Sequence, residues 1–168
     1  MPAIVEAWLP GERGGEAVAD VLFGDHEPEG RLPITVARHV GELPVAYDHK
    51  PSKAYWIRGG WGKPYADMSP EPLFEFGHGL SYTRFAWSNL RIAPPAIGPG
   101  GSAEVSVDVA NVGTRPGKEV VQLYLRDPVA SAVVPVQRLV GVEPGAFEVA
   151  VGSSSPKLHL TGRFEVLP

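Results

Sequence analysis

The hydrophobic pattern changes its period about halfway along this chain. Ala3–Trp8 is a short apolar run that reads as a buried strand, ended by Leu9-Pro10-Gly11. Glu12–Phe23 then spaces Ala17, Val18, Val21 and Leu22 along one helical face. Glu12 is placed for the positive end of that helix, and Gly24 for its C-terminal cap. Asp25–Gly30 is a turn, and Arg31–Ala37 returns as a strand behind Leu32-Pro33. From Ala86 onward the period is two. Ala103–Ala110 puts Val105, Val107 and Val109 on one face, Asn111–Gly117 is a turn segment, and Val120–Leu125 is the next strand. Phe147–Val151 and Lys157–Val166 follow, joined by Gly152–Pro156. Alternating strands with Gly/Pro turns predict a β-sandwich.

Between these halves, His39–Glu71 is irregular and rich in aromatics, including Tyr47, Tyr55, Trp56, Trp61 and Tyr65. So long a connection is uncommon unless it is functional or packs on a partner. It leads into Pro72–Phe85, Pro-Leu-Phe-Glu-Phe-Gly-His-Gly-Leu-Ser-Tyr-Thr-Arg-Phe. Gly77 and Gly79 predict a tight turn with close backbone approach. Phe74, Phe76, Tyr82 and Phe85 are placed to wedge that turn between two larger bodies, and His78 reads as a packed junction residue.

The composition is that of a globular protein, with 43% hydrophobic and 20% charged residues in 168. Eighteen prolines and twenty glycines favour loops and β-structure over a helical bundle. A net charge of −4 makes no case for nucleic acid. With no cysteine, no disulfide or thiolate site is possible, and the five histidines lack ligand spacing, so neither metal nor cofactor is expected. The expectation is a soluble chain without membrane association, since no apolar run approaches a span and no leader is visible. Compartment is not readable, with cytoplasm slightly preferred.

The junction run resembles the Phe-Gly-Tyr-Gly-Leu-Ser-Tyr-Thr signature of family 3 glycoside hydrolases, the β-glucosidase family, with His78 in place of the usual Tyr. Glu6–Gly24, Gly30-Arg-Leu-Pro-Ile-Thr35 and Gly117-Lys-Glu-Val-Val-Gln-Leu-Tyr-Leu-Arg-Asp-Pro128 resemble the same family in the same order. The resemblance implies an α+β chain in three parts. Residues 1–38 would end an α/β sandwich domain, 39–85 form linker and junction, and 86–168 form a fibronectin-III-like β-sandwich. One strand–helix–strand unit cannot bury both faces of a parallel sheet, which agrees with a remnant. After Arg138–Gly141 the family pattern continues through further strand-forming segments, whereas here Val142-Glu-Pro-Gly-Ala-Phe147 follows at once, which reads as an internal deletion, with loop shortening the alternative. Roughly two strands are missing there, at about five to six residues each.

The same resemblance leaves this chain without catalytic residues. A retaining glycosidase uses two carboxyl groups about 5–5.5 Å apart. The family's nucleophile Asp lies in an N-terminal barrel, and its acid/base Glu precedes the Glu6–Gly24 segment. Among acids present, Glu12 and Glu16 read as a solvated helix face, Asp20 and Asp25 as turn chemistry, and Asp48-His49 as a loop anchor. Arg58–Lys63 does not make a phosphate loop, because Pro64 follows. Trp56, Trp61 and Tyr65 are the candidate substrate contacts, since sugar faces stack on aromatic rings; packing of the linker is the competing reading. Trp8 and Trp87 are expected in the core.

Three roles follow. The chain is the C-terminal portion of a β-glucosidase-like hydrolase, meeting a β-glucoside only through domains outside it. Alternatively it is a stand-alone β-sandwich that binds carbohydrate or protein. The third role is structural, docking onto a barrel, an α/β domain or a second subunit.

Overall fold

The computed structural model describes residues 3–50, 69–129, 133–138, 145–155 and 157–166, without the side chains of 145–147 and 166. The described chain is α+β, with helix α1 at Gly14–Phe23 and a 3-10 turn at Val40–Glu42. Six strands follow: β1 at Phe85–Ala93, β2 at Ala96–Ile97, β3 at Glu104–Asn111, β4 at Gln122–Arg126, β5 at Gly145–Gly152 and β6 at Leu158–Val166.

Two sheets result. β1 and β3 pair antiparallel, and a four-stranded sheet runs in the order β2-β6-β5-β4. The sheets enclose Val149, Val151 and Phe164, each at most 7% exposed. Trp87, Leu90, Ile92, Val105 and Val107 close in from the first sheet, and Ile97, Leu123 and Leu125 from the second. Val105 and Val107 thus face the core as their alternation predicts.

β1 meets this core through a bulge. Ser88 pairs with Asp108 and Arg91 with Ser106, so one extra residue lies on β1. Asn89 absorbs it at φ 54, a left-handed conformation that asparagine tolerates better than most residues. Its amide donates to Asp108 Oδ2 at 2.7 Å. The extra residue resets the alternation, so Trp87 and Leu90 both reach the core.

The N-terminal region departs from expectation. Neither Ala3–Trp8 nor Arg31–Ala37 forms a strand; the second makes only a bridge between Val36 and Phe74. Trp8, expected in the core, is 55% exposed and takes φ 48. The reason is partnership. A strand of a parallel sheet needs neighbours across crossover connections, and the described residues hold none for it. The helix begins two residues later than expected, so Glu16 rather than Glu12 is the acid of the first turn. Gly24 caps it as predicted, at φ 83 with its N–H on the Val21 carbonyl.

Candidate functional site

The best-built polar site is the junction, where Pro72–Phe85 is gripped from both sides. Gly77 takes φ +80, and a Cβ there would lie 2.4 Å from Gln122 Nε2. At Gly79 a Cβ would lie 2.7 Å from the Gly30 carbonyl oxygen. Both glycines therefore answer to close approach, as the sequence predicts. Leu32 N–H donates to His78 O at 2.9 Å, and Gly77 N–H to Leu32 O at 2.8 Å. The His78 ring stacks on Phe74 at 5.1 Å, so it is a packed junction residue.

Behind the turn, Phe76 stacks on Tyr47 at 4.4 Å, and Tyr47 sits edge-on to Tyr124 at 6.0 Å. Tyr124 is fully buried, and its hydroxyl donates to Gln122 Oε1. Burial, with a smaller contribution from Tyr47, pushes its pKa up to about 12. The linker is tied down nearby, where Val136 N–H donates to His49 O at 2.9 Å. His49 therefore anchors the loop through its backbone.

On the other side, the loop after α1 is clamped to the β-unit. Arg31 Nη2 meets Glu119 Oε1 at 2.8 Å, with side chains only 7% and 10% exposed. Arg115 donates to the Gly24 carbonyl and lies 5.2 Å over the Tyr82 ring. A cation at a helix C-terminus is favourable for the macrodipole. The Tyr82 hydroxyl donates to Val21 O at 2.6 Å, and Ser81 donates to the Glu27 carboxylate, which also accepts from Tyr82 N–H. Asn111 holds the far turn by accepting from Thr83 Oγ1 at 2.7 Å and donating to Arg115 O at 2.8 Å. The Tyr82 and Phe74 contacts follow the predicted wedge. The Arg31–Glu119 pair, 88 positions apart in sequence, does not follow from any local signal.

Glu16 pairs with exposed Arg13 at 2.7 Å, and the Asp20 backbone carbonyl accepts from His26 N–H at 3.0 Å. No group of three His, Asp or Glu among the described residues could hold a metal ion. Trp56, Trp61 and Tyr65 lie outside the described residues, as do Arg58–Lys63 and the Gly141–Val142 step.

Residues 1–82 match the family model described as the glycosyl hydrolase family 3 C-terminal domain. A periplasmic β-glucosidase of Salmonella typhimurium is 44% identical over 84% of this chain and 19% of its own length. A β-xylosidase of Formosa agariphila is 36% identical over 92% of this chain and 25% of its own. A solved β-glucosidase of Erythrobacter marinus superposes on 99% of this chain with TM-score 0.87 at 35% identity, using 25% of its own length. The chain therefore belongs to glycoside hydrolase family 3, as its motifs imply, and it matches a C-terminal piece. It spans about a fifth to a quarter of these relatives. Among the described residues no helix is long and apolar enough to cross a membrane. The Salmonella relative's periplasmic name leaves the cytoplasmic preference without support.

Proposed function

We propose that this chain is the C-terminal docking portion of a β-glucosidase-like enzyme that hydrolyses O-glycosyl bonds. The catalytic carboxylates and the β-glucoside pocket come from the rest of that enzyme. In this reading residues 1–38 complete an α/β sandwich, 39–85 link and brace it, and 86–168 form a fibronectin-III-like sandwich shortened after Gly141. The observation that carries it is the clamp. Arg31, Arg115 and Tyr82 hold the loop and helix of the first region firmly, while Leu9 at 97%, Phe23 at 84% and Leu22 at 63% remain exposed. A braced element with uncovered apolar side chains is suited to receive another domain.

The purified chain is expected not to turn over aryl β-glucosides. Turnover that survives repurification and is lost on mutating a named acid of this chain would overturn the reading. Added to the Salmonella relative from which the matching C-terminal portion has been removed, the chain should raise that protein's melting temperature. Phe23→Asp should abolish the increase, whereas equal stabilisation by wild type and variant would reject docking through this face. Trp61→Ala is expected to leave the fold intact and weaken docking or sugar contact; unchanged affinity for both would remove Trp61 from the site.

A further inference from the structure

The segment that leaves α1 is gripped by side chains of two turns far along the chain, Ser81–Arg84 and Asn111–Glu119. The two turns are tied to each other independently of that segment. The Thr83 hydroxyl donates to Asn111 Oδ1 at 2.7 Å, and Gly113 N–H donates to the same oxygen at 3.0 Å. Val112 N–H donates to Arg84 O at 2.8 Å, and Asn111 Nδ2 donates to Arg115 O at 2.8 Å. All four bonds lie within the β-unit. The surface is therefore preorganised, and ordering it does not weaken its hold on what it binds.

The segment meets this surface every two or three residues. Val21 O accepts from the Tyr82 hydroxyl at 2.6 Å, and Gly24 O accepts from Arg115. The Glu27 carboxylate accepts from the Ser81 hydroxyl and from Tyr82 N–H. Glu29 pairs with Lys118 at 2.9 Å, and Arg31 with Glu119 at 2.8 Å. Charge is thus matched along the segment: the helix C-terminus faces Arg115, the acids face donors, and the arginine that closes the run faces Glu119. Gly117 permits the approach, since a Cβ there would lie 2.7 Å from Thr83 Cγ2 and 3.5 Å from Glu27 Cδ. Beyond Arg31, Leu32 bonds the backbone of Gly77 and His78, and Val36 that of Leu73 and Phe74. None of these bonds uses residues 39–71, the covalent connection between the two regions.

We infer that the two turns form a recognition surface for a separate polypeptide: a helix ended by glycine and followed by an acidic loop, in the spacing Gly-x-x-Glu-x-Glu-x-Arg of residues 24–31. Here the chain supplies that ligand itself, and the surface still holds it when the connection is cut. Glu119 makes the surface selective. Its side chain is 10% exposed against an Arg31 that is 7% exposed, so a partner without the arginine leaves a carboxylate unpaired away from water.

The test places a specific protease site between Val45 and Ala46 of the full chain, in an irregular stretch that leaves Tyr47 and His49 with the β-unit. The chain carries fluorescein at its N-terminus. After complete cleavage, residues 1–45 should co-elute with the remainder on size exclusion, and the fall of anisotropy on dilution should give their dissociation constant. Glu27→Lys should raise that constant at least about tenfold. Glu27 lies in the bound segment, so its replacement leaves the surface itself intact. Arg31→Glu should raise the constant further, and Glu119→Arg in the same chain should restore the association. Fragments of the wild-type chain that part on cleavage overturn the proposal. So does retention of the Glu27→Lys and Arg31→Glu variants as firm as that of wild type, which would assign the hold to other contacts.

Discussion

Residues 3–43 and residues 85–166 both carry regularly spaced apolar side chains, and among the described residues the fully buried apolar ones lie in the second region. Val149 and Val151 are 1% exposed, while Ile4 is 65% and Phe23 84% exposed. Most strands of the second region find antiparallel partners close in sequence; β5 and β6 pair from Gly145 with Val166 to Gly152 with Leu158. The strands expected in the first region have no paired neighbour among the described residues beyond the Val36–Phe74 bridge. A hydrophobic period thus states what a segment can bury. Whether it does so depends on what is brought opposite it.

Core truncation should give the largest contrast between the regions. Phe164→Ala is expected to cost about 3–5 kcal/mol in denaturant unfolding. Phe23→Ala should stay within about 0.5 kcal/mol, because its ring is already in water. Equal effects would erase the distinction. Next comes the tie between the regions. Glu119→Ala leaves the Arg31 guanidinium buried without its carboxylate and should cost about 3 kcal/mol, while Arg31→Met with Glu119→Leu should recover most of it. A double variant as unstable as the single one would mean that the charges themselves are needed.

The alkaline limb should follow at about 3 kcal/mol, from Tyr124. Its folded pKa of about 12 lies above the ordinary phenol value of 10.0. The neutral phenol is therefore favoured by folding, and this contribution is complete below pH 10 and lost as pH rises toward 12. Tyr124→Phe should flatten that limb in pH-dependent unfolding.

The smallest effect is acidic. His159 stacks on Trp87 at 4.8 Å, and burial, then Lys157, lower its pKa, against an opposing contribution from Glu119. A lowered histidine pKa makes the unfolded chain bind more protons below its ordinary value of 6.5. Stability should therefore dip slightly as pH falls below that value, and His159→Gln should remove the dip. The ring's exposure keeps the change small.

The amino-acid sequence by itself determined the local elements and the family. Helical spacing placed α1, Gly24 its cap, and the strand signals β3, β4, β5 and β6 within a few residues, while β1 and β2 were not singled out. Gly77 and Gly79 marked the junction because only a tight, crowded turn asks for them there. What the tertiary structure decided involves residues far apart in sequence. The Arg31–Glu119 pair, the Tyr47–Phe76–Tyr124 stack and the bulge at Asn89 each depend on a partner strand or loop that no local pattern names. The same cause left Trp8 in solvent and Ala3–Trp8 without a strand. Local propensity is a property of the segment, whereas burial and pairing are properties of what faces it.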